Sequence, residues 1–289
     1  MKKIVAFIVF FVLTLSMAAV QAEETPEWIN ILLMGGDARS TEKYDRTDCM
    51  IILSVNHEAR QLKMTSIMRD TYVPVANRNY SAKINETNVY GGPQLTIDTI
   101  NMNFDAGIED YILVNMNDLV EIIDLIGGVD VDVTSSERYY INVYAKDYLK
   151  NVASYDGETT LTETGVVHLN GLLAMSYCRN RYSDNDFNRV MRQQEVLLSL
   201  GKQVQESDFE DLLPLTDDIL QHIETTLNDE EIKALAKLCM VIDVENVEQY
   251  RIPADKTYTT GHETYRIYPN LEKNIQLLKD FIYGTTESN

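Results

Sequence analysis

Short apolar runs recur along the chain and are separated by polar, turn-forming segments. Residues 29–36 (INILLMGG) are apolar throughout and end in two glycines, which predicts a buried strand. Residues 49–56 and 61–68 are two more apolar runs, and the polar sequence HEAR between them predicts a β-hairpin. Residues 111–116 (YILVNM) predict a further strand, and VDVDV at 129–133 alternates with the period of two that is typical of a half-buried strand.

Helical periodicity occurs between these strands. Residues 93–104 carry apolar side chains at roughly helical spacing and begin with proline, which predicts a helix. Asp118 is the predicted N-cap of the next helix, with Glu121 as its capping-box partner and the pair Gly127-Gly128 at its end. Later segments predict helices at 189–204, within 208–240 and at 271–284, and a strand at 247–254.

Two segments have a less regular pattern. Residues 138–160 are rich in tyrosine and predict an insertion or a loop. Residues 172–179 (LLAMSYCR) are apolar over most of their length and predict a strand, with a buried helix end as the alternative. The alternation of strands and helices predicts an α/β fold, in which helices cover both faces of a central mixed β-sheet. No linker interrupts the pattern, so we expect one domain over residues 27–289, an α-β-α sandwich.

Composition limits the classes of function. With 45% hydrophobic and 24% charged residues among 289, the chain is an ordinary globular protein. Its net charge of −20 argues against nucleic acid as a partner, because nucleic-acid-binding proteins present a basic face. A small local anion pocket remains compatible with that charge. The three cysteines form no disulfide framework and predict buried thiols.

The N-terminus predicts export. Lys2 and Lys3 precede an apolar run to about Met17, and Val20-Gln21-Ala22 resembles a cleavage site before Glu23. These features predict a signal peptide over residues 1–22, with an uncleaved N-terminal anchor as the alternative because the run approaches a membrane span in length. Either way, we expect the rest of the chain to be extracytoplasmic, secreted or attached to the outer face of the cell membrane.

Cations are concentrated in residues 176–194 (SYCRNRYSDNDFNRVMRQQ), which hold four of the twelve arginines of an acidic chain. Arg179 and Arg181 are two apart, so on an extended segment they share one face. Arg189, Arg192 and Gln193 lie on one face of the predicted helix. Guanidinium groups around a helix N-terminus are a strong site for phosphate. The alternative is a solvated helix face with surface ion pairs.

Acidic residues are expected beside these arginines. If the hairpin turns symmetrically, opposing residue numbers sum to 117, and Asp48 faces Arg69. Asp37 and Arg39 follow the first strand and reach the same end of the sheet. Two carboxylates among arginines suit a Mg²⁺ ion shared with a phosphate. The alternative is that both aspartates are turn residues.

Five consecutive stretches of the sequence resemble the LytR-CpsA-Psr family of cell-wall proteins, in the family's order and up to about Ser207. The stretches are ILLMGGDARS, RTDCMIILSVNHEARQLKMTSIMRDTYVPV, KINETNVYGG, DYILVNMNDLVEIIDLIGGVDVDV and LNGLLAMSYCRNRYSDNDFNRVMRQQEVL. The resemblance implies an extracytoplasmic, Mg²⁺-dependent phosphotransferase at the outer face of the cytoplasmic membrane. Such an enzyme moves a glycan phosphate from a polyprenyl pyrophosphate carrier to a peptidoglycan acceptor.

The resemblance also implies roles for individual residues. Asp37 and Asp48 correspond to the acids that hold the metal. The implied catalytic residues are Asp37, Asp48, Arg69, Arg179 and Arg181. The implied pyrophosphate-binding residues are Arg69, Lys83, Arg179, Arg181, Arg189 and Gln193. Weaker candidates at the same rim are Arg39, Asp70, Asp186, Arg192 and Gln194.

Other interpretations stay open at the level of sequence. The same site could let water attack, which would make the protein a polyprenyl pyrophosphate hydrolase, or it could bind lipid phosphate without catalysis as an envelope regulator. Two residues depart from the family pattern: Met68 stands where proline is frequent, and Cys178 where an apolar residue is usual. Five helix residues could line a groove for the lipid or belong to the core, namely Ile97, Ile100, Leu119, Val120 and Ile123.

Overall fold

A computed structural model describes residues 28–36, 44–150, 154–181, 186–207, 215, 218–261 and 265–284. The predicted signal peptide, Asp37 and Arg39 lie outside these residues, as does the side chain of Asp186. Within the described ranges, no helix is both long enough and apolar enough to cross a membrane.

The described residues form a six-stranded central sheet with the strand order β10-β3-β2-β1-β6-β9. Its strands are β1 (Ile29–Gly36), β2 (Thr47–Asn56), β3 (Gln61–Ile67), β6 (Ile108–Asn115), β9 (Glu224–Thr225) and β10 (Glu248–Ile252). Three small sheets pair β4 (Tyr72–Pro74) with β5 (Ser81–Lys83), β7 (Val129–Val133) with β8 (Gly165–Leu169), and β11 (Tyr258–Thr260) with β12 (Ile267–Pro269).

The predicted hairpin register is confirmed. Ile51 pairs with Ser66, and Asn56 pairs with Gln61, so opposing residue numbers sum to 117. β1 is antiparallel to β2 and parallel to β6, and β10 is parallel to β3. The carboxyl ends of β1, β3, β6 and β10 therefore lie along one edge of the sheet, together with the start of β2. We call this the site edge.

Helices cover both faces of the sheet. They are α1 (Thr87–Phe104), α2 (Met116–Ile126), α3 (Ser135–Tyr148), α4 (Gly171–Arg179), α5 (Asp186–Glu206), α6 (Asp229–Cys239) and α7 (Leu271–Tyr283). On one face, α1 and α7 pack on a core that includes Leu32, Met34 and Ile52. On the other, α5 and α6 pack on Ile51 and Met64. The expected sheet covered on both faces is therefore present.

A third cluster extends the α5 face. Side chains from α2, α3 and α4 pack with the antiparallel pair of strands β7 and β8 and with Val196 of α5. In β7 the buried and exposed positions alternate as the sequence predicted. Ile97, Ile100, Val120 and Ile123 are each at most 2% exposed, so these four side chains belong to the core.

Three predictions about local structure were wrong. Residues 135–148 form a helix where a loop was expected, and a capping box between Thr134 and Glu137 begins it. Residues 171–179 form a helix, and an apolar run that is buried on every side does not distinguish helix from strand. The N-cap of α2 is Asn115, whose side chain accepts hydrogen bonds from two backbone amides, and Asp118 lies in the first turn.

Gly92 provides a test of the packing near the site edge. Its φ of +73° is in the left-handed region, and a Cβ built there would lie 2.7 Å from the ring of Tyr44. With ψ of −170°, Gly92 has a backbone conformation that is essentially confined to glycine. We expect Gly92→Ala to lower the free energy of unfolding by about 2–4 kcal/mol, the sum of backbone strain and overpacking.

Gly127→Ala is the matched control. Gly127 also has a left-handed φ of +100°, but a Cβ added there would meet no atom of the described residues within 4 Å. The substitution should lower the free energy of unfolding through backbone strain alone, by about 1–2 kcal/mol. Urea unfolding measures both values. Equal losses for the two variants would show that the contact with Tyr44 does not restrict position 92.

Candidate functional site

The β2–β3 hairpin brings an acid and an arginine together at the site edge. Arg69, two residues beyond β3, donates from Nη1 to Oδ2 of Asp48 over 2.5 Å. Asn85 donates from Nδ2 to the other carboxylate oxygen at 3.3 Å. The Asp48 side chain is still 38% exposed, so its carboxylate faces both the protein and solvent.

Asp70 holds two cations in place. Its Oδ1 accepts from Nζ of Lys83 at 2.6 Å, and its Oδ2 accepts from Nε of Arg69 at 3.3 Å. The Asp70 side chain is only 7% exposed. A buried carboxylate between two cations orients them and has little freedom to bind a ligand itself. Asp70 is therefore a positioning residue for Arg69 and Lys83.

A third cation comes from helix α5. Arg189 is buried, and its Nη2 donates to the backbone carbonyl of Asp48 at 3.3 Å. Its Nη1 lies 3.9 Å from Oδ2 of the same residue. Three cations thus surround two carboxylates, in a chain with a net charge of −20. The local excess of positive charge makes this edge suited to an anion.

Comparison with known proteins shows the family to which the chain belongs. The LytR_cpsA_psr family model matches residues 14–279. The chain belongs to the LytR-CpsA-Psr family. A curated relative in Bacillus cereus, the polyisoprenyl-teichoic acid–peptidoglycan teichoic acid transferase TagU, is 31% identical over 237 residues, which are 79% of this chain and 70% of the relative.

Solved structures share the fold. TagT bound to LIIa-WTA superimposes with a TM-score of 0.71 at 22% identity, covering 89% of this chain and 90% of that one. TagV of B. subtilis also gives a TM-score of 0.71, at 24% identity, covering 90% and 99%. The predicted α-β-α architecture is confirmed by this likeness and by the sheet itself.

Arg192 is enclosed by protein. Its Nη1 donates to Glu137 at 3.1 Å, its Nη2 donates to the carbonyl of Asn180 at 2.5 Å, and its guanidinium lies 5.9 Å from the ring centre of Tyr177. The side chain is 4% exposed. Because Asn180 separates Arg179 from Arg181, Arg192 fixes the backbone that carries both. This contact gives the weaker candidate a positioning role.

The pair Arg179 and Arg181 differs from its predicted geometry. Arg179 ends helix α4, and Asn180 is the first extended residue after it, so the two arginines do not share one extended segment. The guanidinium of Arg179 lies 5.2 Å from the ring centre of Tyr144 on α3. Arg181 is exposed to solvent. Their roles at the pyrophosphate remain predictions.

The two glutamines after Arg192 have different surroundings. Gln193 is half-buried, and its role stays a prediction. Gln194 is buried and donates to the carbonyl of Tyr250 on β10, the outermost strand of the sheet. Its role at the site edge also stays a prediction. Asp37, Arg39 and the side chain of Asp186 are outside the described residues, so their predicted roles also stay predictions.

The free thiols have no features of a nucleophile. Burial raises the pKa of Cys49 to about 12, although nearby Arg189 partly opposes the change. Burial also raises the pKa of Cys178 above its usual range. A thiol with a raised pKa is neutral at physiological pH, and the thiolate is the reactive form. Cys49 and Cys178 pack against apolar clusters, as the sequence predicted, whereas Cys239 is exposed, so the prediction of a buried thiol was wrong there.

Two functional residues were not identified from the sequence, although signals for both were present. Asn85 contacts Asp48 directly; it lies two residues after Lys83 in the matched stretch KINETNVYGG, in the 3-10 turn that follows β5. Glu137 binds Arg192 and completes the sequence TSSE at 134–137, which is a capping-box signature.

Proposed function

We propose that this protein transfers a glycan phosphate from a polyprenyl pyrophosphate carrier to a hydroxyl group of peptidoglycan. The observation that carries the proposal is the group of three cations at the site edge: Arg69 and Arg189 beside the partly exposed carboxylate of Asp48, and Lys83 paired with Asp70. The name of the TagU relative supports the two substrate classes, a polyisoprenyl-linked polymer and peptidoglycan.

The reaction needs one bond to form and one to break. The acceptor oxygen attacks the phosphorus that carries the glycan, and the bridging P–O bond to the other phosphate breaks. Polyprenyl monophosphate leaves with the bonding electrons, and the hydroxyl proton is lost to a base. Such transfers depend mainly on positioning and charge stabilisation, which fixed cations supply.

The cations suit this task because they are already ordered. Two aspartates hold the guanidinium of Arg69 at Nη1 and Nε, and a planar fork fixed in this way can present its N–H groups to phosphate oxygens. Lys83 adds a point charge fixed by Asp70. Little side-chain entropy remains to be lost when the anion binds.

The residues at the site edge fit a Mg²⁺ ion. In the described part of the chain no three His, Cys, Asp or Glu side chains form a metal-binding group. However, Oδ1 of Asn85 is buried beside Asp48 and accepts no hydrogen bond from any described residue. Carboxylate and carbonyl oxygens are the ligands that Mg²⁺ prefers, with the rest supplied by phosphate and water. Asp48 would hold the ion, with Asp37 as the second acid implied by the family motif, and the ion would neutralise charge on the phosphates.

A surface for the lipid lies on the α5 face of the sheet. Leu33 on β1, and Ile112 and Val114 on β6, are only half-buried although both strands have neighbours on each side. Leu33 pairs with Ile112, so these side chains share a face. We call them the apolar patch. Apolar side chains that the protein's own helices leave partly uncovered suit a polyprenyl chain.

Export forms part of the proposal. The positively charged start, the apolar run and Val20-Gln21-Ala22 support an extracytoplasmic protein acting at the outer face of the cytoplasmic membrane. The intact mass of the exported protein distinguishes cleavage near Glu23 from a retained N-terminal anchor.

The proposed reaction is tested by supplying a polyprenyl pyrophosphate-linked disaccharide to the purified protein with and without soluble peptidoglycan. With acceptor, mass spectrometry should detect a phosphodiester-linked glycan on peptidoglycan together with polyprenyl monophosphate. Without acceptor, release of polyprenyl monophosphate should fall to a small fraction of that rate, because no attacking hydroxyl is present.

Two other results would contradict transfer. Equal release of polyprenyl monophosphate in both reactions would identify a hydrolase. Binding of the carrier with no turnover in either reaction would identify a regulator that recognises lipid phosphate.

The role of Asp48 gives a second prediction. We expect Asp48→Asn to lower the transfer rate by about ten- to a hundredfold, because it removes a charged contact to Arg69 and the metal-binding carboxylate. The Mg²⁺ concentration needed for half-maximal rate should rise in the same variant.

Asp105→Asn is the matched control, since Asp105 is an exposed aspartate that also pairs with a cation, Lys279, at the far end of α1. Its rate should match that of the wild type. If Asp48→Asn retains both the wild-type rate and the wild-type response to Mg²⁺, the assignment of Asp48 is wrong.

A further inference from the structure

Exposed aromatic and charged side chains form a ledge beside the phosphate-binding residues. The ledge consists of Arg46, Tyr80, Glu86 and Tyr90. The two tyrosines are 43% and 47% exposed, and their rings meet edge to face with centroids 6.1 Å apart. Glu86 pairs with Arg46 at 3.2 Å and accepts from the hydroxyl of Tyr90 at 3.5 Å. The protein thus fixes two tyrosine rings beside an ion pair at its surface.

The ledge is continuous with the site edge. The segment before β2 runs along the start of α1, where Asn88 donates to the carbonyl of Asp45 at 2.7 Å. The next contacts along this segment are Arg46 with Glu86 and then Asp48 with Asn85. Tyr80 directly precedes β5, which carries Lys83. A ligand held at Asp48 and Lys83 therefore lies next to the ledge.

The ledge and the apolar patch lie on opposite faces of the sheet. The ledge adjoins α1, which packs on the face that includes Leu32 and Met34. The apolar patch lies on the face covered by α5. A pyrophosphate joins the lipid at one end to the glycan at the other. If the lipid extends over the α5 face, the glycan leaves toward α1 and meets the ledge.

The chemistry of the ledge fits a sugar. A pyranose ring has an apolar C–H face that packs on an aromatic ring, and hydroxyl groups that pair with carboxylate and guanidinium groups. An exposed tyrosine pair beside an accessible ion pair offers both kinds of contact. We infer that the ledge binds the first sugar residues of the donor glycan, next to the pyrophosphate. The inference rests on the proposed function, and it assigns the ledge to the donor instead of the acceptor.

Two ligands separate the sugar contact from the phosphate contact: a short-chain polyprenyl pyrophosphate carrying a disaccharide, and the same pyrophosphate without sugar. Titration should show that the disaccharide tightens binding to the wild type. Tyr90→Ala should weaken binding of the glycan-bearing ligand by about two- to tenfold, as expected for one aromatic contact, and leave the bare ligand unchanged. Tyr90→Phe keeps the ring and should bind both ligands like the wild type.

Tyr139→Ala is the matched control. Tyr139 is 64% exposed and also meets a second tyrosine edge to face, Tyr140, with centroids 5.1 Å apart on helix α3. The Tyr139→Ala protein should bind both ligands like the wild type. Thermal melting should show that Tyr139→Ala and Tyr90→Ala are both folded. The double variant Tyr80→Ala/Tyr90→Ala should lose about tenfold or more of the sugar-dependent affinity.

Three results would overturn the inference. One is a wild-type protein that binds both ligands equally well. Another is a Tyr90→Ala protein with unchanged donor affinity and a raised KM for soluble peptidoglycan, which would assign the ledge to the acceptor. A wild-type protein that binds neither ligand would contradict the proposed function itself, and the ledge assignment with it.

Discussion

The pairing of β2 with β3 determines where the charges of the site lie. The register, in which opposing residue numbers sum to 117, places Asp48 and Arg69 at the site edge just beyond the end of the ladder, where their side chains meet at 2.5 Å. A slip of one residue would turn every side chain of one strand to the other face and separate this pair. Lys83, Asn85 and Arg189 are then placed by contacts to Asp48 or to its neighbour Asp70.

This arrangement also explains how an acidic protein can bind an anion. Each cation at the site edge is held by a carboxylate or a carbonyl, so mutual repulsion among the cations is offset before a ligand arrives. Away from the site edge, the charge of Arg192 is likewise balanced by Glu137. Arg192 also donates to the carbonyl of Asn180 and so fixes the backbone there.

Sequence patterns predicted the parts of the molecule that depend on local periodicity. β1, the hairpin, α5 and the pairing of Asp48 with Arg69 follow from apolar runs, turn residues and symmetry. The nature of α4 could not be predicted, because a segment buried on all sides has no polar face to reveal its period. The surroundings of Arg192 depend on α3, and the tyrosine-rich composition of that segment predicted an insertion or a loop instead of a helix. The ledge could not be predicted from sequence patterns, since its residues come from three separate segments of the chain and meet only in the folded protein.

The central claim is that Arg69, oriented by Asp48 and Asp70, binds the pyrophosphate. The dissociation constant of a bare polyprenyl pyrophosphate tests it most directly, measured for Arg69→Ala and for Arg138→Ala. Arg138 is a half-buried arginine outside the site that donates to the carbonyl of Thr162. We predict that Arg69→Ala weakens binding by about ten- to a hundredfold, the cost of a charged hydrogen bond, while Arg138→Ala binds like the wild type. A folded Arg69→Ala protein with wild-type affinity would contradict the account.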